Sequence, residues 1–449
     1  MQVDTPAIRT QLVSLLSDLV RIDTTNPPGN ELACAQYLAP LLQTAGVETR
    51  IVEPQPGRGS LIARLRSGST AKPLMLMGHL DVVAAAADNW DRPPFAGLVE
   101  GDYLWGRGST DNKQMVAISA LILMALARSG IPLKRDVLLA ATADEEQGGR
   151  WGMGWLARND PEIQGVECAI NEGGGDALLV GDRLFYTCQT AEKGVCRTVW
   201  TARSASGHAS RPRPDMSTFL LARAVGRLED GHLGVRVIET MHKALTTIAG
   251  TFSAGRAERV AQLLDTGAVE QALIETGFSP EQASQNRVLF CDTISPTVFR
   301  AGATEQLNVI PDTARAWFDG RLLPGETRNG FISRLQQLVG DLVTVDLFED
   351  DYSPGLESPS DAPIVDVMRQ VIADQCAGSS LVPWQCGGST DAKHLIPRGV
   401  PVYGFVPSMP LPPGEGGSGA HGNNEKLWLD NLYFGYRVLY DVVTRFCGA

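Results

Sequence analysis

His79 and Asp81 are the first residues whose types and spacing could do chemistry. They follow an apolar stretch, Leu74–Met77, and Gly78, and they stand two positions apart. An apolar run of this length that ends in a glycine predicts a buried strand, and open α/β sheets bind their ligands at strand ends. The pair therefore indicates a binding or catalytic position. Taken alone, it is more typical of a surface histidine beside an aspartate in a turn.

Other acidic and imidazole side chains follow further short apolar segments. Segment 140–143 leads directly into three consecutive acids, segment 168–170 ends two residues before Glu172, and His421 precedes the last predicted helix. The three consecutive acids are Asp144, Glu145 and Glu146. Adjacent carboxylates repel one another unless cations or protons hold them. The repeated pattern predicts ligands that converge on one edge of one sheet.

Asp111 stands between a glycine-rich turn and an apolar stretch. It follows Gly106 and Gly108 and precedes Met115–Ala127, which predicts a position near the start of a helix. A carboxylate there can cap the helix or bind a metal ion. The residues alone leave both interpretations open.

The elements that position these residues alternate between helix and strand. Apolar residues at helical spacing predict helices near 6–20 and 31–44, and strands follow at about 48–53, 60–65 and 74–78. The same alternation continues through 136–143 and 166–170. This order predicts an α/β fold with a mostly parallel sheet flanked by helices.

With these residues in place, the chain resembles the di-zinc metallopeptidase family of aminoacylase, glutamate carboxypeptidase, carboxypeptidase S and succinyl-diaminopimelate desuccinylase. The matching segments come in the family's order and run from 24–29, Thr-Thr-Asn-Pro-Pro-Gly, to His421. The resemblance implies a zinc-peptidase-like catalytic domain that holds two divalent metal ions. The implied ligands are His79 and Glu172 for one ion, Glu146 and His421 for the other, and Asp111 as the bridge. It also implies that Asp81 orients His79 and that Glu145 is the general base.

The middle of the chain predicts a second domain. Residues 195–202 alternate as in a strand with one exposed face, and the following elements give a β-α-β-β-α-β order interrupted by the mostly helical segment 232–290. The resemblance implies that 193–350 is a lid and dimerisation domain of α+β type. It would be inserted in a discontinuous catalytic domain of residues 1–192 and 351–449. We assign no role to segment 232–290.

His208 lies in a polar, glycine-containing segment, Ser206-Gly-His-Ala-Ser-Arg211, that follows a predicted strand. The resemblance implies that this histidine reaches the partner subunit's active site and stabilises an oxyanion. The chain would then act as a homodimer joined through the lid domain. A solvated loop histidine is the alternative.

Other polar positions resemble substrate contacts of the family. Asn308 and Arg321 match lid positions, with a turn asparagine and a strand-edge arginine as the alternatives. The glycine-rich loop contains Gly388, Ser389 and Thr390, whose backbone N–H groups and hydroxyls could bind a carboxylate.

Composition excludes several other classes of protein. The net charge of −12 and the absence of a Lys/Arg run argue against a nucleic-acid partner. The longest apolar stretch, Met115–Ala127, is too short for a membrane span, and residues 1–9 lack the apolar region of a signal peptide. The eight cysteines are scattered and predict reduced, buried thiols. We therefore expect a cytoplasmic protein without a membrane or nucleic-acid partner.

The predicted function is metal-dependent hydrolysis of an amide or peptide bond next to a free carboxylate, in a small molecule or short peptide. The mixed histidine and carboxylate ligands favour zinc and tolerate cobalt or manganese. A carboxypeptidase or dipeptidase and an N-acyl-amino-acid deacylase both fit. In relatives, a glutamate at the position of Glu172 goes more often with deacylases and carboxypeptidases, and an aspartate with aminopeptidases. An aminopeptidase is the alternative within the family. A catalytically inactive binding protein is the alternative of another class, although it would be expected to lose Glu145 or a ligand.

Overall fold

The computed structural model describes residues 4–412 and 419–448. Within them the α-helices are α1 Pro6–Arg21, α2 Glu31–Thr44, α3 Lys113–Ser129, α4 Met153–Asn159, α5 Pro161–Gln164, α6 Ser217–Gly226, α7 Glu239–Phe252, α8 Ala254–Asp265, α9 Val269–Thr276, α10 Pro280–Asn286, α11 Arg328–Val339, α12 Pro363–Gln375, α13 Ala392–Leu395 and α14 Leu429–Cys447. The strands are β1 Glu48–Val52, β2 Ser60–Leu65, β3 Leu74–His79, β4 Leu98–Glu100, β5 Tyr103–Trp105, β6 Val137–Thr142, β7 Cys168–Asn171, β8 Ala177–Val180, β9 Arg183–Glu192, β10 Gly194–Arg203, β11 Gly207–His208, β12 His232–Leu233, β13 Asp292–Ala301, β14 Val309–Ile310, β15 Thr313–Leu322, β16 Thr344–Ser353, β17 Leu356–Glu357, β18 Ser380–Cys386, β19 Val402–Gly404 and β20 Lys426–Trp428.

The chain divides into two compact units. Unit 1 comprises residues 1–190, 358–383 and 390–449, and unit 2 comprises residues 191–357 and 384–389. The sequence places the second domain at residues 193–350, and that domain assignment stays a prediction. Segment 384–389 belongs to unit 2 although it lies between two segments of unit 1. Nothing in its local sequence indicates this.

Unit 1 is built on a mixed sheet with the order β1-β2-β6-β3-β7-β19-β9. The central strands β6, β3, β7 and β19 are parallel, and antiparallel strands continue the sheet on both sides. Every residue of β3 and β6 is buried, as expected where helices cover both faces of a parallel sheet. The structure therefore confirms the predicted α/β fold, with its parallel part confined to the centre of the sheet.

Alternate residues of the central strands pack into two separate hydrophobic cores, one on each face of the sheet. Leu74 and Leu76 point to a large cluster with helices α1, α2, α3, α12 and α14, whereas Met75 and Met77 pack with α4 and α13 on the other face. Helix α1 begins where Thr5 Oγ1 accepts a hydrogen bond from Ile8 N. Within the part of the chain that the structure describes, no helix is both long and apolar enough to cross a bilayer.

Unit 2 contains an antiparallel sheet with the order β12-β13-β15-β10-β16. Helices α6 and α11 pack against it around Trp200, Phe318 and Phe331. Without α7–α10, the elements follow the predicted β-α-β-β-α-β order. Segment 232–290, predicted to be mostly helical, contains these four helices.

Candidate metal centre

His79 is the last residue of β3, at the carboxyl end of the parallel part of the sheet. Its Nε2 lies 3.0 Å from Asp111 Oδ1 and 3.5 Å from Glu172 Oε2. Its Nδ1 lies 3.0 Å from the backbone oxygen of Asp81. Glu172 follows β7, which is hydrogen-bonded to β3. We call His79, Asp111 and Glu172 the inner group.

A second group forms around His421. Its Nε2 lies 3.1 Å from Asp111 Oδ2 and 3.2 Å from Glu146 Oε2. We call His421, Asp111 and Glu146 the outer group. The two carboxylate oxygens of Asp111 therefore face two different histidines, each of which has a further carboxylate of its own. This is the arrangement expected of a ligand shared by two ions.

Asp111 lies outside helix α3, which begins at Lys113 with Asn112 at its N-cap position and no side-chain capping bond. The Asn112 side-chain amide instead donates to Glu172. A Cβ atom on Gly78 would lie 2.9 Å from Asn112 Oδ1, so any larger residue at position 78 would displace the Asn112 side chain that contacts Glu172. The helix-cap interpretation of Asp111 is therefore not what the structure shows.

The electrostatics of both groups reflect an excess of carboxylates. Burial lowers the pKa of His79, but the carboxylates of Glu172 and Asp111 outweigh burial and hold that pKa well above its usual range. Hydrogen bonds to Asp111 and Glu146 raise the pKa of His421 to about 10. Negative groups that attract protons this strongly also attract cations.

The donor atoms fit divalent metal ions. Ligand atoms of His79, Glu145 and Glu172 lie within 4.8 Å of one another, and so do those of His79, Asp111 and Glu146. The second of these sets crosses from the inner to the outer group, which shows that the two groups are contiguous. Glu146 Oε1 is buried and has no hydrogen-bond partner within the described residues. An unpaired buried carboxylate oxygen is costly unless a cation binds it.

Glu145 lies beside the two groups at the start of a short 3₁₀ turn, Glu145–Gln147. Its carboxylate lies 3.5 Å from Lys393 Nζ. Burial raises the pKa of Glu145 well above its usual range, and the positive charge of Lys393 opposes that rise. A carboxylate with a raised pKa is a stronger base, so it can accept the proton of a water molecule and later return it. Sequence reasoning missed Lys393, which follows the glycine-rich loop.

The Asp81 carboxylate supports the 3₁₀ turn as well as His79. It accepts hydrogen bonds from Glu145 N at 3.0 Å, from Glu146 N at 3.1 Å and from the Asn26 amide at 2.8 Å. Its distance to His79 Nδ1 is longer, 3.5 Å. Asp81 therefore positions Glu145 and Glu146 through their backbone N–H groups.

A buried ion network lies behind the same turn. Arg58 Nη2 lies 2.6 Å from Glu31 Oε1 and 2.9 Å from Asp144 Oδ1, and Arg58 Nη1 donates to Asn26 Oδ1 at 3.1 Å. Asp144 adopts the left-handed conformation, with φ of 73°, which non-glycine residues need surrounding contacts to hold. The network therefore fixes the turn that presents the acids. Sequence reasoning used segment 24–29, which contains Asn26, as a match to the family but missed Arg58 and Glu31.

Comparison with known proteins decides the family. A family model described as Peptidase family M20/M25/M40 matches residues 75–445. This chain belongs to that family. Membership confirms the resemblance seen in the sequence and makes this M20 chain a hydrolytic enzyme of the metallopeptidase type.

The M20 chain is similar in sequence to hydrolases of known type and similar in fold to a solved metallo-carboxypeptidase. It is 29% identical to the N-fatty-acyl-amino acid synthase/hydrolase PM20D1 of Bos taurus over 80% of this chain and 71% of that protein. It is 25% identical to the probable carboxypeptidase S-like 2 of Dictyostelium discoideum over 82% of this chain and 70% of that protein. The M20 family metallo-carboxypeptidase Sso-CP2 of Sulfolobus solfataricus has the same fold, with a TM-score of 0.71 at 17% identity over 96% of this chain and 98% of that one.

The predicted loop contacts lie on both sides of the division between the units. Thr390 is buried in unit 1, where its Oγ1 accepts hydrogen bonds from the Asn171 amide and from Ala392 N, both at 3.2 Å. Gly388 N donates to Cys386 Sγ, and Ser389 Oγ is buried without a partner within the described residues. Thr390 is thus tied to the end of β7, next to Glu172.

The predicted unit 2 contacts fall at two separate places. His208, on β11, pairs with Val309, and Ala209 N donates to the backbone oxygen of Asn308, so His208 and Asn308 lie on adjacent segments. Arg321 lies at the opposite end of β15 and pairs with Asp319 at 2.6 Å. The structure therefore brings His208 and Asn308 together and leaves Arg321 apart from them.

Proposed function

We propose that this M20 enzyme is a two-metal hydrolase that cleaves an amide or peptide bond adjacent to a free carboxylate. One observation carries the proposal. The two carboxylate oxygens of Asp111 contact His79 and His421 separately, at 3.0 and 3.1 Å. A carboxylate in that position can bind two ions at once, with Glu172 and Glu146 completing the two sets of ligands.

Two divalent ions in such a centre supply a water of lowered pKa and polarise the substrate carbonyl. The residues of the chain do the rest. Glu145 takes the proton of the attacking water on its carboxylate and later gives that proton to the leaving amine. Its neighbour Glu146 has a different role because its carboxylate faces His421 in the outer group. Asp81 and the network around Arg58 hold the turn. Glu145 is thereby free to transfer protons, while Glu146 faces the outer group.

The proposed substrate carries a carboxylate on the amine side of the cleaved bond. Carboxypeptidases and N-acyl-amino acid hydrolases, the activities named for the relatives, both cleave such bonds. We propose Asn308, Arg321 and the loop of Gly388, Ser389 and Thr390 as the contacts for this part of the substrate. We further propose zinc as the metal, with cobalt or manganese as substitutes, and a homodimer in which His208 serves the partner's site. The cytoplasmic location remains a prediction.

A substrate panel tests the proposal. Protein loaded with Zn²⁺ is assayed on N-acyl amino acids with short and long acyl chains, on dipeptides, and on matched compounds in which the terminal carboxylate is a carboxamide. Free carboxylates should be hydrolysed, their carboxamide partners should react much more slowly, and chelation should abolish both activities. Preferred cleavage of free-amine substrates that lack the carboxylate would instead identify an aminopeptidase. No hydrolysis by protein that holds two ions would contradict the proposed function.

A further inference from the structure

Glu425 is a fully buried carboxylate outside the proposed ligand set. Five hydrogen bonds from one loop converge on it. The donors are Arg107 Nη1 at 2.7 Å and Gly108 N at 3.1 Å to Oε2, and Thr110 N at 2.7 Å, Thr110 Oγ1 at 2.7 Å and Asp111 N at 3.2 Å to Oε1. Such a set satisfies both oxygens of a buried carboxylate, which is otherwise costly to bury.

The same contacts join the two loops that carry Asp111 and His421. Arg107 Nη2 donates to the backbone oxygen of Gly422 at 2.9 Å, one residue after His421. Gly106 N donates to the backbone oxygen of Glu425 at 2.9 Å. Arg107 and Glu425 thus connect segment 106–111, which supplies the donors, to segment 421–425, which supplies the acceptors.

The backbone beside this ion pair is in a conformation that needs external support. His421 and Asn424 both adopt the left-handed region, with φ of 59° and 60°. Non-glycine residues enter that region at a cost in free energy and stay there when surrounding contacts impose it. The His421 side chain is itself 57% exposed, so packing around the imidazole does little to fix it. The buried Glu425 and Arg107 fix this loop together with Asn424, which exchanges two hydrogen bonds with Asp91 at 2.8 and 3.1 Å.

We propose that Glu425, together with Arg107, is a positioning residue that sets the separation of Asp111 and His421 and so holds the outer group ready for its metal ion. The inference rests on the proposed two-metal function. Asp111 belongs to both groups, whereas His421 belongs to the outer group alone. Loss of the clamp formed by Arg107 and Glu425 should therefore weaken metal binding in the outer group more than in the inner group.

The test is a calorimetric titration of the metal-free full chain with Zn²⁺, for the wild type and Glu425→Gln. A glutamine keeps the size of the side chain but turns an N–H₂ group toward N–H donors. We expect two ions per chain in the wild type. We expect the outer group to be the weaker site because His421 lies on a loop and is largely exposed. In the variant, this weaker affinity should fall about ten- to a hundredfold, the range for residues that orient metal ligands, while the tighter affinity falls less.

Asp136→Asn is the matched control. Asp136 is also a buried carboxylate that accepts bonds from an arginine and a backbone N–H, those of Arg64 and Ser67, but it precedes β6 at the opposite end of the strand from Glu145. It should lose stability and keep both Zn²⁺ affinities. Equal loss of Zn²⁺ affinity in the two variants, or wild-type affinities in Glu425→Gln, would overturn the inference.

Thr110→Val keeps the test decisive if Glu425→Gln does not fold. This change removes only the hydroxyl bond to Glu425 Oε1 and keeps Thr110 N. A several-fold loss in the weaker affinity supports the clamp, and unchanged affinities contradict it. A wild-type chain that binds fewer than two ions would contradict the proposed function itself, which separates that failure from failure of the clamp alone.

Discussion

The inner and outer groups share Asp111 but differ in what holds their other ligands. His79 ends a buried central strand, and its side chain is 2% exposed, whereas His421 lies on a loop and is 57% exposed. Glu172 follows strand β7, while Glu146 belongs to a short 3₁₀ turn. The inner ligands are thus fixed by the sheet, and the outer ligands are fixed by ion pairs and hydrogen bonds between loops.

This difference bears on how the two ions should bind. Ligands on packed strands lose little further freedom when they bind a metal, whereas loop ligands lose more and depend on supporting contacts. We expect the inner group to bind its ion more tightly and the outer group to exchange its ion more readily. The supports of the outer group, the clamp of Arg107 with Glu425 and the network of Arg58, therefore become functional parts of the site.

The largest expected effect is that of Glu145→Gln. Loss of a general base should lower kcat by at least about a hundredfold and by up to about ten-thousandfold, and both metal ions should remain. Because a ligand atom of Glu145 also lies within reach of His79 and Glu172, the metal content of this variant tests whether Glu145 belongs to the inner group. The control is Glu146→Gln, which should lose the outer ion. Loss of the inner ion from Glu145→Gln would show that Glu145 is a ligand.

His208→Ala should have the next largest effect. Removal of one oxyanion donor lowers kcat by roughly a hundred- to a thousandfold. Because His208 lies in unit 2, neither the inner nor the outer group should lose affinity for Zn²⁺. A change in Zn²⁺ affinity in this variant would mean that His208 also supports one of the two groups.

A mixing experiment then asks which chain His208 serves. Inactive His208→Ala and inactive Glu145→Gln proteins are combined under conditions that exchange subunits. Donation to the partner's site gives heterodimers in which one site has both residues intact, so activity should reappear. No recovery after verified exchange would show that His208 acts within its own chain or not at all.

The smallest effect concerns the support of the turn that carries Glu146. Burial, and then the charge of Asp81, raise the pKa of Glu31 to about 7 from its ordinary 4.5. The folded protein therefore holds this proton more tightly than the unfolded chain. That contribution to stability is complete below about pH 4.5 and is lost as the pH rises through about 7. Glu31→Gln cannot ionise and should avoid the loss.

The measurement is the free energy of unfolding in denaturant and chelator at pH 5 and pH 8. The variant should gain stability relative to the wild type between these pH values, by up to about 3 kcal/mol. Glu48→Gln, at the exposed start of β1, is the control and should follow the wild type. Parallel curves for Glu31→Gln and the wild type would exclude this titration.

The inner group was the more predictable of the two from sequence. Apolar runs end at His79 and just before Glu172, and parallel strands bring their carboxyl ends to one edge of a sheet, so their convergence follows from local patterns. The sequence marked His421 as a candidate before the last helix, but only the family resemblance placed it in one group with Asp111. The contacts of Glu425 and Arg58 were not predictable, because they join residues far apart in the chain and leave no periodic signal. The roles of Glu425, of Arg58 and of the substrate contacts stay predictions.

The most direct measurement is the number and affinity of Zn²⁺ ions bound by the wild type, His421→Ala and His79→Ala. The wild type should bind two ions with unequal affinities. His421→Ala should keep one ion near the tighter affinity of the wild type, and His79→Ala should keep one that binds much more weakly. A single ion in the wild type, or loss of the tighter ion from His421→Ala, would contradict a centre in which Asp111 joins a strand-held group to a loop-held one.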